Sequence, residues 1–147
     1  MSHNKLVLTA ETVPHVALDF MNATHFEELE RVRTLGELIS GYKQSKNDND
    51  RLSEALNKWI EHTQAHFARE NELMIDIQFP MYPMHSGEHN RVLEEMERMV
   101  ASWNKTYDIA LLSDYVFTAW PQWFEQHVNS MDMVTAQFAV MHGYEQD

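Results

Sequence analysis

The stretch HTQAHFARE, residues 62–70, places histidines and a glutamate at four-residue spacing. An α-helix turns by about 100° per residue, so positions four apart lie within about 40° of one another on one face. His66 and Glu70 can therefore direct two donor atoms at one point. The apolar residues around them recur at steps of three or four. This periodicity predicts an amphipathic helix from about 51 to 78 that carries candidate metal ligands.

Two further histidine clusters lie downstream. His85 and His89 are four residues apart, whereas His127 and Asp132 are five apart. Five residues correspond to an offset of about 140° on an α-helix. This last pair could therefore share a metal only if Asp132 reached around the helix, or if the pair spanned two metals. A single histidine pair usually marks a solvated helix face, but three clusters, together with His25, indicate a buried metal centre. Imidazole and carboxylate donors without thiolate suit iron, manganese or zinc.

The composition is typical of a globular helical protein. Of 147 residues, 44% are hydrophobic, and only four are glycine and four proline. We therefore expect a single domain over residues 1–147 with a sizeable core. The formal charge of -12 would repel nucleic acid and anionic membranes. Cysteine is absent, which excludes disulfides and thiolate ligands but does not fix the compartment. Neither a secretory signal nor a membrane-spanning run is visible, so we expect a soluble cytoplasmic protein.

The pattern predicts an all-α chain. After an irregular N-terminal arm over residues 1–17, helices are expected over four ranges: about 19–43, 51–78, 83–103 and 109–141. Pro121 cannot donate to the carbonyl of Phe117, which predicts a kink in the fourth helix. Amphipathic helices joined by short connections indicate an antiparallel up-down four-helix bundle with a metal site in its core.

These residues carry a family resemblance. The stretch HFARENELM, residues 66–74, resembles the HFxxEExxM signature of hemerythrins, with Asn71 in place of one acidic residue. Two later stretches are similar to the following hemerythrin motifs: His85-x3-His89 after a Tyr-Pro turn, and Trp123-x3-His127-x4-Asp132. The match keeps the motif order and covers roughly residues 19–138.

The resemblance implies a non-haem di-iron centre with an oxo or hydroxo bridge that binds dioxygen reversibly. It implies seven ligands: His85, His89 and His127 on one iron, His25 and His66 on the other, which keeps an open position, and Glu70 and Asp132 bridging both. Bridging would account for the five-residue spacing in the last cluster. Four residues would line the dioxygen pocket by their positions: Phe67, Trp123, Phe124 and Val128.

Three classes of function remain open at this point. Reversible dioxygen binding, as a carrier, store or sensor, is the preferred hypothesis, because five histidines and two carboxylates favour binding over oxidation. The alternatives are a di-iron enzyme or a protein that handles nitric oxide or peroxide, and a protein for iron storage or sensing. The oligomeric state and the physiological partner are not specified by the sequence.

Two positions near the predicted ligands need separate treatment. Around His25 the family usually has Asp-x-x-His-x-x-Leu, whereas this chain has Asn22 and Glu28 at the flanking positions. We expect Leu29 to turn inward and Glu28 to stay solvated. The alternative is a carboxylate near the open iron, which could relay protons or redirect the chemistry. His62, about 6 Å along the helix from the first ligand of its cluster, is expected to neighbour the ligands rather than to be one.

Overall fold

The fold was examined in a computed structural model that describes residues 12–144. Its elements are α1 (Asp19–Ser40), α2 (Lys46–Asp76), α3 (Tyr82–Thr106) and a fourth helical region, residues 109–141. That region comprises α4 (Ile109–Asp114), a π-helical segment (Tyr115–Ala119), α5 (Trp120–His127), a second π-helical segment (Val128–Asp132) and α6 (Met133–Met141). The predicted all-α, antiparallel four-helix bundle is confirmed, and the described residues contain no strand. Of the predicted irregular arm, residues 12–17 are irregular, and the first eleven lie outside the described residues.

The helix boundaries differ from the predicted ones where side chains cap a helix end. The side chain of Ser45 accepts a hydrogen bond from the backbone N–H of Asp48 at 3.0 Å. This cap satisfies one of the free N–H groups of the first turn, so α2 begins before the predicted start near residue 51. At the same end of the bundle, α3 continues to Thr106 and stops at Tyr107, whose φ is 52°. A side-chain cap therefore sets the start of α2 and a left-handed residue sets the end of α3, and hydrophobic periodicity reports neither.

The core lies between the apolar faces of all four helical stretches. Its largest fully buried side chains are aromatic: Trp59, Trp103, Trp120, Phe67 and Phe124. Phe26, an apolar residue of α1, is 48% exposed. Its neighbour His25 occupies the inward position, and a residue one step along the helix is turned by about 100°. None of the helices within residues 12–144 is long and apolar enough to cross a membrane.

The fourth helical region widens twice from α- to π-helical geometry. In a π turn the N–H bonds to the carbonyl five residues back instead of four, as the N–H of Trp120 does to Tyr115. This first widened turn comes directly before Pro121, which has no N–H to donate. The second covers Val128–Asp132 and so lies directly after His127. Both departures from regular helix therefore lie beside residues that the sequence had singled out, and the kink itself stays a prediction.

Candidate metal centre

Seven buried side chains meet in the middle of the bundle, and they are the seven predicted from the sequence. They come from every helical stretch: His25 from α1, His66 and Glu70 from α2, His85 and His89 from α3, and His127 and Asp132 from the fourth region. Their donor atoms form two groups, each within 4.8 Å: Glu70, His85, His89, His127 and Asp132 in one, and His25, His66 and Glu70 in the other. We call these the three-histidine side (His85, His89, His127) and the two-histidine side (His25, His66).

Glu70 belongs to both sides. Its Oε2 atom lies 2.8 Å from Nε2 of His66 and 3.8 Å from Nε2 of His25. Its Oε1 atom lies 3.3 Å from Nε2 of His89 and 3.9 Å from Nε2 of His85. One carboxylate oxygen therefore faces each group of histidines.

Asp132 divides its oxygens in the same way. Its Oδ2 atom lies 2.9 Å from Nε2 of His25, and its Oδ1 atom lies 3.1 Å from Nε2 of His85 and 3.2 Å from Nε2 of His127. The π segment makes this possible, because a π turn holds one residue more than an α turn. Residues five apart on this π turn therefore lie on nearly the same face, as residues four apart do on an α-helix. The spacing that looked unfavourable on an α-helix is thus the favourable one here.

The outer nitrogens of the histidines on α3 are held by neutral polar groups. Nδ1 of His89 donates to Oδ1 of Asn71 at 2.9 Å, and Nδ1 of His85 donates to Oγ1 of Thr135 at 2.8 Å. The Thr135 hydroxyl in turn faces the sulfur of Met74 at 4.0 Å, so its oxygen is free to accept. Such partners fix the tautomer and leave the Nε2 lone pair pointing inward. Thr135 was not predicted from the sequence, although a polar residue on an otherwise apolar helical face was an available signal.

The inward atoms fit a cation. Within residues 12–144, Glu70 Oε1, His89 Nε2 and Asp132 Oδ1 are buried without a hydrogen-bond partner, and Nε2 of His85 lies 3.2 Å from Nε2 of His127. Buried acceptors that face one another without a donor are costly. A cation among them would satisfy all of these atoms together. Nitrogen and oxygen donors without sulfur suit iron.

Glu28 is fully buried, so the prediction that it stays solvated is wrong. Leu29 is also buried, as expected, at 5% exposure. Burial of an ionised carboxylate requires hydrogen bonds that replace water. Four donors from α2 provide them: Trp59, His62, Thr63 and His66.

The carboxylate of Glu28 lies behind His66 and does not face the space between the two donor groups. Its Oε1 atom accepts from Nδ1 of His66 at 3.1 Å, whereas Nε2 of the same ring faces Glu70. Oε1 also accepts from Nδ1 of His62 at 3.0 Å, and Nε2 of His62 lies 3.3 Å from the exposed Glu27. His62 lies outside both donor groups. It is the link between Glu28 and the surface.

The charges of the cluster compensate one another. Burial acts to raise the pKa of Glu28, but hydrogen bonds from His62 and His66 outweigh it and lower the pKa to about 2. Burial likewise opposes ionisation of Glu70, whose pKa is nevertheless lowered to about 2, chiefly by His66. Burial disfavours protonated His66, yet the two carboxylates raise its pKa well above its usual value. Burial lowers the pKa of His89 to about 4. A metal must therefore displace a proton from His66 but not from His89.

Aromatic and apolar side chains enclose the clustered histidines. Three predicted pocket residues pack against the histidine rings: Phe67 on His89, with His66 also near, Trp123 on His127 and Phe124 on His25. The closest contact is that of Phe67, which stacks with ring centroids 4.0 Å apart and planes 5° from parallel. The fourth residue, Val128, is fully buried. These residues form the apolar surroundings of the centre, and their lining of a dioxygen pocket stays a prediction.

Comparisons with known proteins agree with this geometry. The family model described as Hemerythrin HHE cation binding domain matches residues 14–139. A bacteriohemerythrin from Aquifex aeolicus is 24% identical over 132 residues, which cover 90% of this chain and 97% of the relative. A bacteriohemerythrin from Ralstonia nicotianae is 38% identical over 92 residues, which cover 60% of this chain and 64% of the relative. No solved structure matches at comparable significance.

Proposed function

This chain belongs to the hemerythrin family, and on that premise we propose that it holds two iron ions and binds dioxygen reversibly, as a carrier or store. The observation that supports this most directly is the division of the carboxylate oxygens of Glu70 and Asp132 between two groups of histidines. In a site for one ion, the two oxygens of each carboxylate would not face two separate groups of histidines. Two shared carboxylates fit two neighbouring ions.

The two sides differ in the number of donors that they offer. The three-histidine side has five donors, since both carboxylates reach it. The two-histidine side has four, namely His25, His66 and one oxygen from each carboxylate. An ion on the three-histidine side would therefore be held by one donor more than an ion on the two-histidine side, which would have more room for a further ligand. A small ligand would therefore bind on the two-histidine side.

The protein's own residues would set the conditions for reversible binding. Reduced iron supplies the electrons that dioxygen takes up and returns. Phe67, Phe124 and Val128 keep water away from the histidines, which limits the proton access that makes oxidation irreversible. Asn71 and Thr135 hold the rings of His89 and His85 so that their Nε2 atoms stay inward.

The test is anaerobic loading with ferrous iron followed by exposure to air. We expect two irons per chain and a visible charge-transfer band that appears in air and disappears on deoxygenation. His66→Gln should abolish the band, whereas His15→Gln, at an exposed histidine outside the centre, should retain it. Iron content far below two per chain, or a band that deoxygenation does not reverse, would contradict the proposal.

A second candidate function, handling of peroxide or nitric oxide, is favoured by one observation. The buried anion of Glu28 lies behind His66, on the side with fewer donors. An anion there would stabilise the more highly charged, oxidised ion. Stopped-flow mixing of the reduced, iron-loaded protein with dioxygen separates the two functions, because the band persists in a carrier and decays in a catalyst. Sustained consumption of peroxide in the presence of a reductant would support the second function.

A further inference from the structure

The groups that accept hydrogen bonds from the ligand histidines differ in charge between the two sides. Three rings have such an acceptor at Nδ1, and each acceptor belongs to a different chemical class. The pairs are His66 with the carboxylate of Glu28 at 3.1 Å, His89 with the amide of Asn71 at 2.9 Å, and His85 with the hydroxyl of Thr135 at 2.8 Å. An anion therefore stands behind the two-histidine side and neutral groups stand behind the three-histidine side.

Glu28 is fixed in place. It is fully buried, and its Oε2 atom accepts from Nε1 of Trp59 at 2.9 Å. Its Oε1 atom accepts from Thr63 at 2.9 Å and from His62 at 3.0 Å, besides His66. The ring of His66 is thus held at both nitrogens, because Glu70 lies 2.8 Å from its Nε2. A carboxylate with this many donors cannot turn away from the ring without leaving several of them unpaired.

Resting on the function proposed above, we propose that Glu28 is a positioning residue that makes the two metal positions unequal. Its carboxylate fixes the ring of His66 and increases electron donation from the inward nitrogen. The ion on the two-histidine side is therefore held more tightly than it would be with an amide in place of the Glu28 carboxylate. The same ion also favours its higher oxidation state, because the nearby anion offsets the additional positive charge.

Two nearly isosteric substitutions test this in opposite directions. Glu28→Gln replaces the carboxylate behind His66 with an amide, and Asn71→Asp replaces the amide behind His89 with a carboxylate. Glu30→Gln is the matched control, since it removes the same charge from a partly exposed position of the same helix. Zinc ions, titrated in competition with a chelator, probe the affinities without redox chemistry. NMR of protein labelled with ¹⁵N-histidine identifies the affected ring through its Nδ1–H resonance.

Glu28→Gln should weaken zinc binding on the two-histidine side by about 10–100-fold, the usual cost of losing an outer partner, and should shift the Nδ1–H resonance of His66. Asn71→Asp should tighten zinc binding on the three-histidine side and shift the resonance of His89. In the iron-loaded protein, Glu28→Gln should move the one-electron equilibrium toward the ferrous form by about tenfold, which corresponds to about 59 mV. Glu30→Gln should leave all three quantities unchanged.

Equal weakening of both zinc ions by Glu28→Gln, or no change in affinity and potential, would overturn the proposal. If Glu28→Gln does not fold, the double substitution Trp59→Phe with Glu28→Gln removes the N–H that would oppose the new amide. Asn71→Asp decides the matter independently, since failure to tighten its own side also overturns the proposal. Failure of the proposed function would be seen separately, as loss of the reversible band in the unmodified protein, because zinc affinity and NMR do not depend on dioxygen.

Discussion

Deletion of Ser130 should convert the second π segment into ordinary α-helix and leave the helix on either side in its present register. Ser130 lies between His127 and Asp132, and its side chain is exposed. After the deletion these two ligands are four residues apart, and their angular offset becomes about 40°. This is the relation that His85 and His89 already have on α3.

The matched control is deletion of Ser86, which lies between His85 and His89 in a regular α turn. There the deletion changes the offset between the two histidines by about 100° and shortens the helix by about 1.5 Å. The side chain of His85 is then rotated away from the centre, toward which it points in the unmodified protein. Both serine hydroxyls donate to a carbonyl on the preceding turn, Ser130 at 2.6 Å and Ser86 at 3.5 Å. Each deletion therefore removes one hydrogen bond of the same kind.

For the Ser130 deletion we expect a loss of less than about 2 kcal/mol in the free energy of unfolding, since one exposed hydrogen bond is worth about 0.5–1.5 kcal/mol. The stoichiometry of bound metal should not change. The Ser86 deletion should weaken metal binding by more than the roughly 10–100-fold that loss of an outer partner costs. Urea denaturation and a zinc titration measure both quantities. Equal damage from the two deletions would refute the idea that the π turn holds a spare residue.

Three further predictions follow from single contacts. Thr135→Val leaves the Nδ1–H of His85 without its acceptor, so stability should fall by about 1–3 kcal/mol in urea denaturation, and an unchanged midpoint would contradict this. Phe67→Ala removes the ring stacked on His89 and should cost about 3–5 kcal/mol in the same assay, with a loss below 1 kcal/mol as the contrary result. The hydrogen bond to Glu28 raises the pKa of His62 in the metal-free protein, so the stability it provides is complete below about pH 6.5 and is lost as the pH rises through the folded pKa. The difference in unfolding free energy between the unmodified protein and His62→Gln should accordingly be larger at pH 6 than at pH 9, and a difference that does not vary with pH would argue against this pair.

Six of the seven donors were conspicuous in the sequence because they form pairs that each lie on one helix, whereas His25 and the ligand roles came from the resemblance to hemerythrins. His66 with Glu70, and His85 with His89, share a face whatever the rest of the chain does. The pair of His127 and Asp132 was harder. From the sequence, the five-residue spacing indicated either that Asp132 reaches around the helix or that the pair spans two metals, and only the backbone shows that the turn is widened.

Glu28 could not be placed from sequence, because its burial depends on a partner helix. A glutamate in an amphipathic helix is normally solvated, and the expected cost of burying it is high. Four donors of α2 offset that cost, and they reach Glu28 only through the packing of α1 against α2. The start of α2 was predicted too late for a different reason. The Ser45 cap is a local hydrogen bond, and the spacing of apolar residues does not report it.

The donors of the centre come from every helical stretch of the bundle, and this has a consequence for the lifetime of the protein in the cell. Removing the metal leaves buried acceptors facing one another where the four stretches meet. The free energy of metal binding is then also free energy of folding, and a chain without metal opens more often. Proteases act on such opened states, so degradation should be faster when iron is scarce. The amount of this protein would then follow the iron supply without any regulator of its synthesis.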